Sequence, residues 1–596
     1  MSSHFRNRGR RIWRKLLGTG DPPERVARGL AAGIFAAAFP LPGIHVPLCL
    51  VFAWLVRANK AAALAGQAVS NAATLLPLAC LQFRIGSLLW PGEAAAGERA
   101  LALLRKVNED YWAWGAPLAS LDKIGPALAS AGVAVLGPLA LGVLVTGVAA
   151  AVCSYAVSLT ALTVFYGYRL RRRIERGLGP QVLHGHFAVP ESGAAEAPDR
   201  AAVMRYAMAK AHVVAPSVKL LTDGKQAYPE MLAAIEGAEK SVDLETYILR
   251  ADSIGRQFAA ALCGAAARGV TVRLLYDGVG CLGLPEEYTA GLLSAGVKVA
   301  VYRPLHLLWF THIGSMNRRD HRKILVVDEN TAFTGGLNIG DEYAANESGG
   351  AGWRDTHCRI DCPETARQLR ALIELAWRRA EQLTPPPKAH EPPAVKRISA
   401  GGATGRGECA ATSADVPVWV LSNKDLLKRI QVRQTYLRAI RRAQRYILIE
   451  NAYFIPDRRI RRALRNAVKR GVAVGVVVPM YSDLRIVALA SRALYSELLA
   501  SGVRLFEYPV NMLHCKAAVI DDVWLVVSSY NLDHRSLLHN LEAGVLMLDR
   551  RLAQAMRTQI LGDIARCKEV TLELHTARSW HQALAEALAY QLRYWL

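Results

Sequence analysis

HRKILVVD at 321–328 and HCKAAVID at 514–521 carry the decisive reading of this 596-residue chain. Each is a His-x-Lys-x4-Asp motif opening an apolar, β-type run. The first continues into Thr334-Gly-Gly-Leu-Asn338 and the second into Ser528-Ser-Tyr-Asn531, so both asparagines lie ten residues beyond the aspartate. On a β-strand alternate side chains share a face, which points His and Lys at i and i+2 the same way. Cys515, between His514 and Lys516, is then expected on the opposite, core-packed face.

Working outward, the motifs sit inside a longer repeat. SVDLETYIL at 241–249 matches YILIENAYFI at 446–455, RGVTVRLLY at 268–276 matches RGVAVGVVV at 470–478, and AGVKVAVY at 295–302 matches SGVRLFEY at 501–508. The offsets are 205, 202 and 206 residues, so order and spacing are shared. Four matching stations, the motif included, indicate internal duplication. Apolar β-type runs alternating with helical patterns indicate α/β units. A linker is expected over 186–214, its 186–200 stretch rich in Pro, Ala, Gly and charge, and a second over 384–416 with three prolines at 385–387. The lobes are then 215–383 and 417–575, with an amphipathic helix over 576–596. Glu245 and Glu450 occupy equivalent strand positions, with a pocket-lining and a structural role equally open.

Two such strands meeting at a pseudo-twofold axis would bring two imidazoles, two ammonium groups and two amides around one pocket. That set suits a phosphodiester. Lys323 and Lys516 neutralise its charge, while Asn338, Asn531 or backbone N–H groups hold its oxygens. One of His321 and His514 attacks phosphorus and the other protonates the leaving alcohol, in an order the near-symmetric halves leave open. Each imidazole needs a carboxylate on its other nitrogen. Asp355 and Glu542, standing 34 and 28 residues after the histidine of their own halves, are the candidates.

The duplicated motifs, with GGLN at 335–338, WRD at 353–355 and SYNLDHRSLLHNLE at 529–542, resemble the phospholipase D superfamily. Within it the likeness is to bacterial cardiolipin synthases of the B type, over about residues 215–575. The resemblance implies an α/β, duplicated two-lobed fold of mixed sheets flanked by helices. It implies transfer of a phosphatidyl group to the alcohol of phosphatidylglycerol through a phosphohistidine, with no metal or cofactor. It implicates His321, Lys323, Asp328, Asn338, His514, Lys516, Asp521 and Asn531. One departure is Ser528-Ser529 where many members have Gly-Ser; serine at 528 would restrict the backbone if φ were positive there.

The remaining sequence points to a membrane. Hydrophobic residues make up 52% and mean hydropathy is +0.14, concentrated in residues 29–166. Blocks at 29–56 and 61–90 are each long enough to span a bilayer, and 125–166 is long enough for a tight hairpin. Pro40, Pro42, Pro47 and Gly137-Pro138 suggest broken or re-entrant helices. The pattern over about 25–175 also resembles a small bacterial membrane domain without an assigned biochemical function. The leading apolar run is too long for a signal peptide. Basic flanks at 1–28 and 169–176 predict both ends on the cytoplasmic side, hence an even number of crossings, four or two with re-entrant segments. An all-α membrane domain over 1–180 is therefore expected, in a bacterial inner membrane.

A formal charge of +23 attracts polyanions, and the apolar segments favour an anionic lipid surface over nucleic acid. The basic run at 458–466 and the tail RSWHQALAEALAYQLRYWL at 578–596 are candidate interfacial segments, packing against the lobes being the other reading of the tail. Ten dispersed cysteines without a CxxC pair argue against a zinc site or a disulfide framework. Expected substrates are phosphatidylglycerol and, as a possible donor, phosphatidylethanolamine. The alternative is hydrolysis, by a phospholipase D or a membrane-tethered nuclease.

Overall fold

The computed structural model describes residues 23–39, 45–67, 72–90, 121–175, 206, 213–304, 318–383, 411–423 and 430–596. The basic stretch before residue 23, Pro40, Pro42 and most of both expected linkers lie outside the described residues. The chain forms two units, Met1–Arg172 with Ser579–Gln591, and Arg173–Arg578 with Leu592–Leu596.

The first unit is helical, with helices at Pro23–Ala37, His45–Leu55, Lys60–Gly66, Ala72–Leu89 and Leu121–Glu175. Its helices approach closely because small residues allow it. A Cβ on Gly29 or Gly33 would run into backbone of 59–67, and one on Gly86 into the Pro138 carbonyl. Leu121–Glu175 is a single 55-residue helix, which corrects the expectation of a hairpin over 125–166. The Gly137-Pro138 step makes packing contacts, Gly137 against the Trp90 ring and Pro138 against Gly86, and the chain runs straight through. Its Gly137–Tyr168 segment is long and apolar enough to cross a membrane by length and composition, with Val152 and Val157 facing outward. Hydroxyls of Thr146, Ser158 and Thr163 donate to carbonyls one turn back, leaving little polar demand on the surroundings. Among the described residues this is the one helix of spanning length; His45–Leu55 and Pro77–Leu89 are shorter. The expected 576–596 helix is shorter too, Trp580–Gln591, and it packs in this unit through Tyr590 on Glu24 and Gln591 on Thr160.

The second unit is one fifteen-stranded sheet. Its first half contains Val213–Thr222 (β1), Ser241–Thr246 (β2), Thr271–Asp277 (β3), Lys298–Tyr302 (β4), Ile324–Val327 (β5), Thr331–Gly335 (β6) and Thr356–Asp361 (β7). The second half contains Thr412–Ser422 (β8), Tyr446–Asn451 (β9), Ala473–Pro479 (β10), Arg504–Tyr508 (β11), Lys516–Ile520 (β12), Trp524–Ser528 (β13), Ala543–Leu548 (β14) and Lys568–Val570 (β15). β1 and β8 pair antiparallel at the centre. Reading outward gives β7-β6-β5-β2-β3-β4 on one side and β14-β13-β12-β9-β10-β11 on the other, β15 being an extra edge. The duplication is thus written in the strand order. β8 starts inside the segment expected as linker, because Asp415 (φ 52) and Pro417 break the alternation that would mark a strand.

The repeated Arg-Gly-Val stations have a backbone cause. Gly269 and Gly471 have φ of 87 and 88, the left-handed turn that ends a helix and feeds the next strand. β2-β3-β4 and β9-β10-β11 are parallel, whereas β5 and β12 run antiparallel to β2 and β9. The entry ends of β5 and β12, where the histidines stand, therefore lie beside the exit ends of the parallel strands. Two short bridges tie the halves there, Asp320 to Leu541 and Arg354 to Leu513.

Candidate active site

Each histidine is delivered by the residue just ahead of its strand and pinned by the other half. His321 N donates to the Leu541 carbonyl at 3.0 Å and His514 N to that of Arg354 at 2.7 Å. The next residues after Leu541 and Arg354 are Glu542 and Asp355. Nδ1 of His321 consequently lies 3.1 Å from Glu542 Oε2, and Nδ1 of His514 lies 2.7 Å from Asp355 Oδ2. This crossing corrects the expectation that each carboxylate serves the histidine of its own half. The bridges place it, since each joins one half's motif to the other half's carboxylate loop.

The four basic side chains are all buried, with His321 6% and His514 4% exposed. Lys323 Nζ donates to the His321 carbonyl at 2.6 Å and rests over the Tyr247 ring, 5.1 Å from its centroid. Lys516 Nζ meets both the His514 carbonyl and, at 2.8 Å, its Nδ1. Burial, then the neighbouring lysines, push the pKa of both histidines down, His514 well down. Burial also brings Lys323 down to about 7 and lowers Lys516. Such a cluster is short of negative charge, and a phosphodiester supplies it.

The two carboxylates differ. Glu542 accepts from Ser529 Oγ, Ser536 Oγ (2.7 Å) and Asn540 Nδ2 (3.2 Å) as well as from His321. Burial alone would raise its pKa, yet His321, Lys323 and Ser529 hold it below the ordinary value. Asp355 has the Thr356 N–H and His514, and burial carries it up to about 6.

The structure does not bring Asp328 and Asp521 to this site, which corrects their place in the catalytic set. They stand at the far ends of β5 and β12, five residues beyond the lysines, roughly 16 Å at strand rise. Each opens a two-residue turn with positive φ (52 and 56 at 328–329, 55 and 57 at 521–522). Asp328 accepts from the N–H groups of Glu239, Lys240 and Ser241, and Asp521 from those of Gln444, Arg445 and Tyr446. They anchor the entries of β2 and β9.

Asn338 is buried and already committed, accepting from Ile248 N and donating to Tyr343 Oη, whose ring stands 5.4 Å from that of His514. Asn531 is buried with its side-chain oxygen unpartnered. Ser528 ends β13 in extended conformation opposite Gly544, so positive φ is not required of it. In the first half the same pair is Gly335 opposite His357, the bulk sitting on the other strand. Cys515 faces the core with Sγ 3.3 Å from Thr356 Oγ1. Glu245 and Glu450 are buried on the side of the sheet away from the histidines.

Reading the sequence missed Tyr247, Tyr343, Ser529 and Ser536. Ser529 had a signal, lying two residues before Asn531 where the first half has Gly336. A Cβ on Gly336 would collide with the Asp355 carboxylate, whereas Ser529 reaches to Glu542.

A family described as "Cardiolipin synthase, PLD-like domain" matches residues 231–377 and 436–564. A second, described as "Uncharacterized protein conserved in bacteria (DUF2062)", matches 7–171. The cardiolipin synthase of Halalkalibacterium halodurans is 32% identical over 371 residues, covering 62% of this chain and 70% of that one. Cardiolipin synthase B of Shigella flexneri is 34% identical over 383 residues, covering 63% and 86%. Among solved structures, phosphatidylserine synthase of Haemophilus influenzae Rd KW20 superposes with a TM-score of 0.43 at 14% identity, covering 61% of this chain and 89% of that one.

Proposed function

The chain belongs to the cardiolipin synthase family of phospholipase D-like proteins, and from that premise we propose that it transfers a phosphatidyl group onto phosphatidylglycerol to make cardiolipin. The observation carrying the residue assignment is the pair of buried histidines, each with Nδ1 on a carboxylate and a lysine two residues along. His321 is the nucleophile in this reading. Its Nδ1 faces two acceptors, Glu542 Oε2 and the Ser529 carbonyl, both at 3.1 Å. The ring proton is held there and the Nε2 lone pair is left for phosphorus.

His321 Nε2 forms the P–N bond as the head-group oxygen leaves phosphorus, taking its proton from His514 Nε2 in the imidazolium form, which the charge of the bound phosphodiester favours against burial. A glycerol hydroxyl of phosphatidylglycerol then attacks the phosphohistidine, giving its proton to His514 and releasing His321. Lys323 and Lys516 balance the charge on the phosphoryl oxygens. Asp355 and Glu542 fix the rings, and the Asn531 amide nitrogen donates to a phosphoryl oxygen. Phosphatidylethanolamine is the second candidate donor.

The same reading makes residues 1–180 a membrane domain of the bacterial inner membrane, with the catalytic lobes cytoplasmic. Pro23–Ala37 and His45–Leu55, about 22 and 16 Å long at helical rise, fall short of a hydrocarbon core of about 30 Å. They fit a re-entrant pair better than two crossings.

The test is a lipid assay by mass spectrometry on full-length protein in detergent, given phosphatidylglycerol with or without phosphatidylethanolamine. Wild type should form cardiolipin and His321→Ala should lose on the order of 10³–10⁴ in rate. Phosphatidic acid without cardiolipin would replace the transferase with a hydrolase.

A further inference from the structure

The helical unit holds a basic cavity of ≈ 560 Å³ whose rim includes Arg25, Trp54, Arg57 and Lys60. Its construction is rigid. Arg28 Nη1 donates to the Val56 carbonyl at 2.9 Å, and Asn59 N donates to the Arg25 carbonyl at 3.0 Å. The buried Asn59 side chain accepts from Ala62 N at 2.8 Å, and Ala58 N closes back on Ala53 at 2.8 Å. A Cβ on Gly29 would strike the Asn59 carbonyl, so the first helix can lie flat on this loop only with glycine there. Arg57 holds a positive φ of 51 in the middle of it.

This scaffold brings Arg57 and Lys60 to one concavity. Among the described residues no carboxylate lines the cavity and none pairs with Arg57 or Lys60. Both side chains are exposed, and two like charges three residues apart on one hydrogen-bonded turn favour an anion between them. The apolar rim narrows the choice. Trp54 is 69% exposed, and Val51, Leu55 and Val56 beside it are exposed as well. The two apolar helices return to the same end, since Arg25 meets Asn59 and Arg28 meets Val56. That is how an aromatic and basic border is placed at a bilayer surface.

From these observations we infer that Arg57 and Lys60 bind the phosphate group of an anionic glycerophospholipid, with Trp54 and Leu55 against its glycerol and upper acyl region. Free phosphate shares the anionic chemistry but has no use for the apolar rim. The inference rests on the membrane reading of this unit and is independent of the histidine chemistry.

The experiment is native mass spectrometry of the full chain in non-ionic detergent, titrated with phosphatidylglycerol, with phosphatidylcholine, and with sodium phosphate as competitor. Arg57→Gln/Lys60→Gln should lose one phosphatidylglycerol binding event, weakened at least tenfold, while still forming cardiolipin in detergent. Arg256→Gln/Lys298→Gln, two exposed cations of the first lobe, should bind as wild type. If the first variant fails to fold, Arg57→Lys/Lys60→Arg keeps the charges and should retain the lipid. Unchanged retention in the glutamine pair, equal loss in the control pair, or loss in the charge-keeping pair would overturn the assignment. So would displacement of the lipid by millimolar phosphate. Cardiolipin formation is read on the same samples, so a failure of the enzymatic reading shows up separately from a failure of this site.

Discussion

Behind the site, the two lobes solve the same electrostatic problem differently. In the first, Glu245 is buried beneath the motif and meets Arg322 at 2.7 Å, from the residue between His321 and Lys323. Arg322 also pairs with Asp320 at 2.8 Å, so one cation serves two carboxylates. Burial raises Glu245 well above the ordinary range, while against the same burial Arg322 holds Asp320 below it. In the second lobe the residue equivalent to Arg322 is Cys515, and Glu450 has no cation on its own motif. The nearby cation is Arg354, which comes from the first lobe and binds Asp563 and Asp223, each at 2.8 Å. Burial and Asp563 raise Glu450 well above its usual value. The first lobe is electrostatically self-sufficient. The second borrows.

The sharpest way to break this picture is at the crossed carboxylates. Glu542→Gln should cost about 10⁴-fold in cardiolipin formation, comparable to neutralising the orienting aspartate of a catalytic triad. It should add almost nothing in a His321→Ala background, and Asp355→Asn should add almost nothing to His514→Ala. If Glu542→Gln were instead silent only with His514→Ala, the crossing would be wrong.

The next effect is on stability. Arg322→Met leaves two carboxylates buried without their cation and should destabilise by roughly 3–5 kcal/mol in denaturant titration. Arg354→Met should cost a similar amount, while Cys515→Ala should cost about 1 kcal/mol. Equal damage from Cys515→Ala and Arg322→Met would erase the asymmetry.

The smallest effects are in pH dependence. Lys323, brought down to about 7, is charged below that pH and neutral above it, so kcat/KM should fall as pH rises through 7. Asp355, raised to about 6, is ionised above that pH, so activity should also fall as pH drops through 6 and its grip on His514 loosens. The loss is at most about tenfold per pH unit on either side. Lys323→Arg, permanently charged, should flatten the alkaline limb and leave the acid limb in place.

The repeat, the strand character of the motifs and the identities of both histidines, both lysines and both carboxylates were legible in the sequence. Residue type and period-two alternation are local properties, and the duplicated spacing amplified them. The crossing was not legible. His321 precedes Asp355 much as His514 precedes Glu542, and nothing along one lobe reveals which partner lies across a pseudo-twofold axis. Asp328 and Asp521 misled because a shared motif does not distinguish a reacting group from one that caps three backbone N–H groups at a turn. Gly137-Pro138 misled because a helix break in sequence is a packing notch once a neighbour such as Trp90 fills it.

The crossed carboxylates also govern when the protein becomes an enzyme. His321 leaves the ribosome 221 residues ahead of Glu542, an interval of roughly 10–40 s at ordinary elongation rates. Throughout it the emerging chain has a histidine with no carboxylate to set its proton, and between residues 355 and 514 also a carboxylate with no histidine to serve. Chains released early in that interval would be chemically silent, whatever lipid they meet. Competence is granted late, once the second lobe's carboxylate strand has emerged.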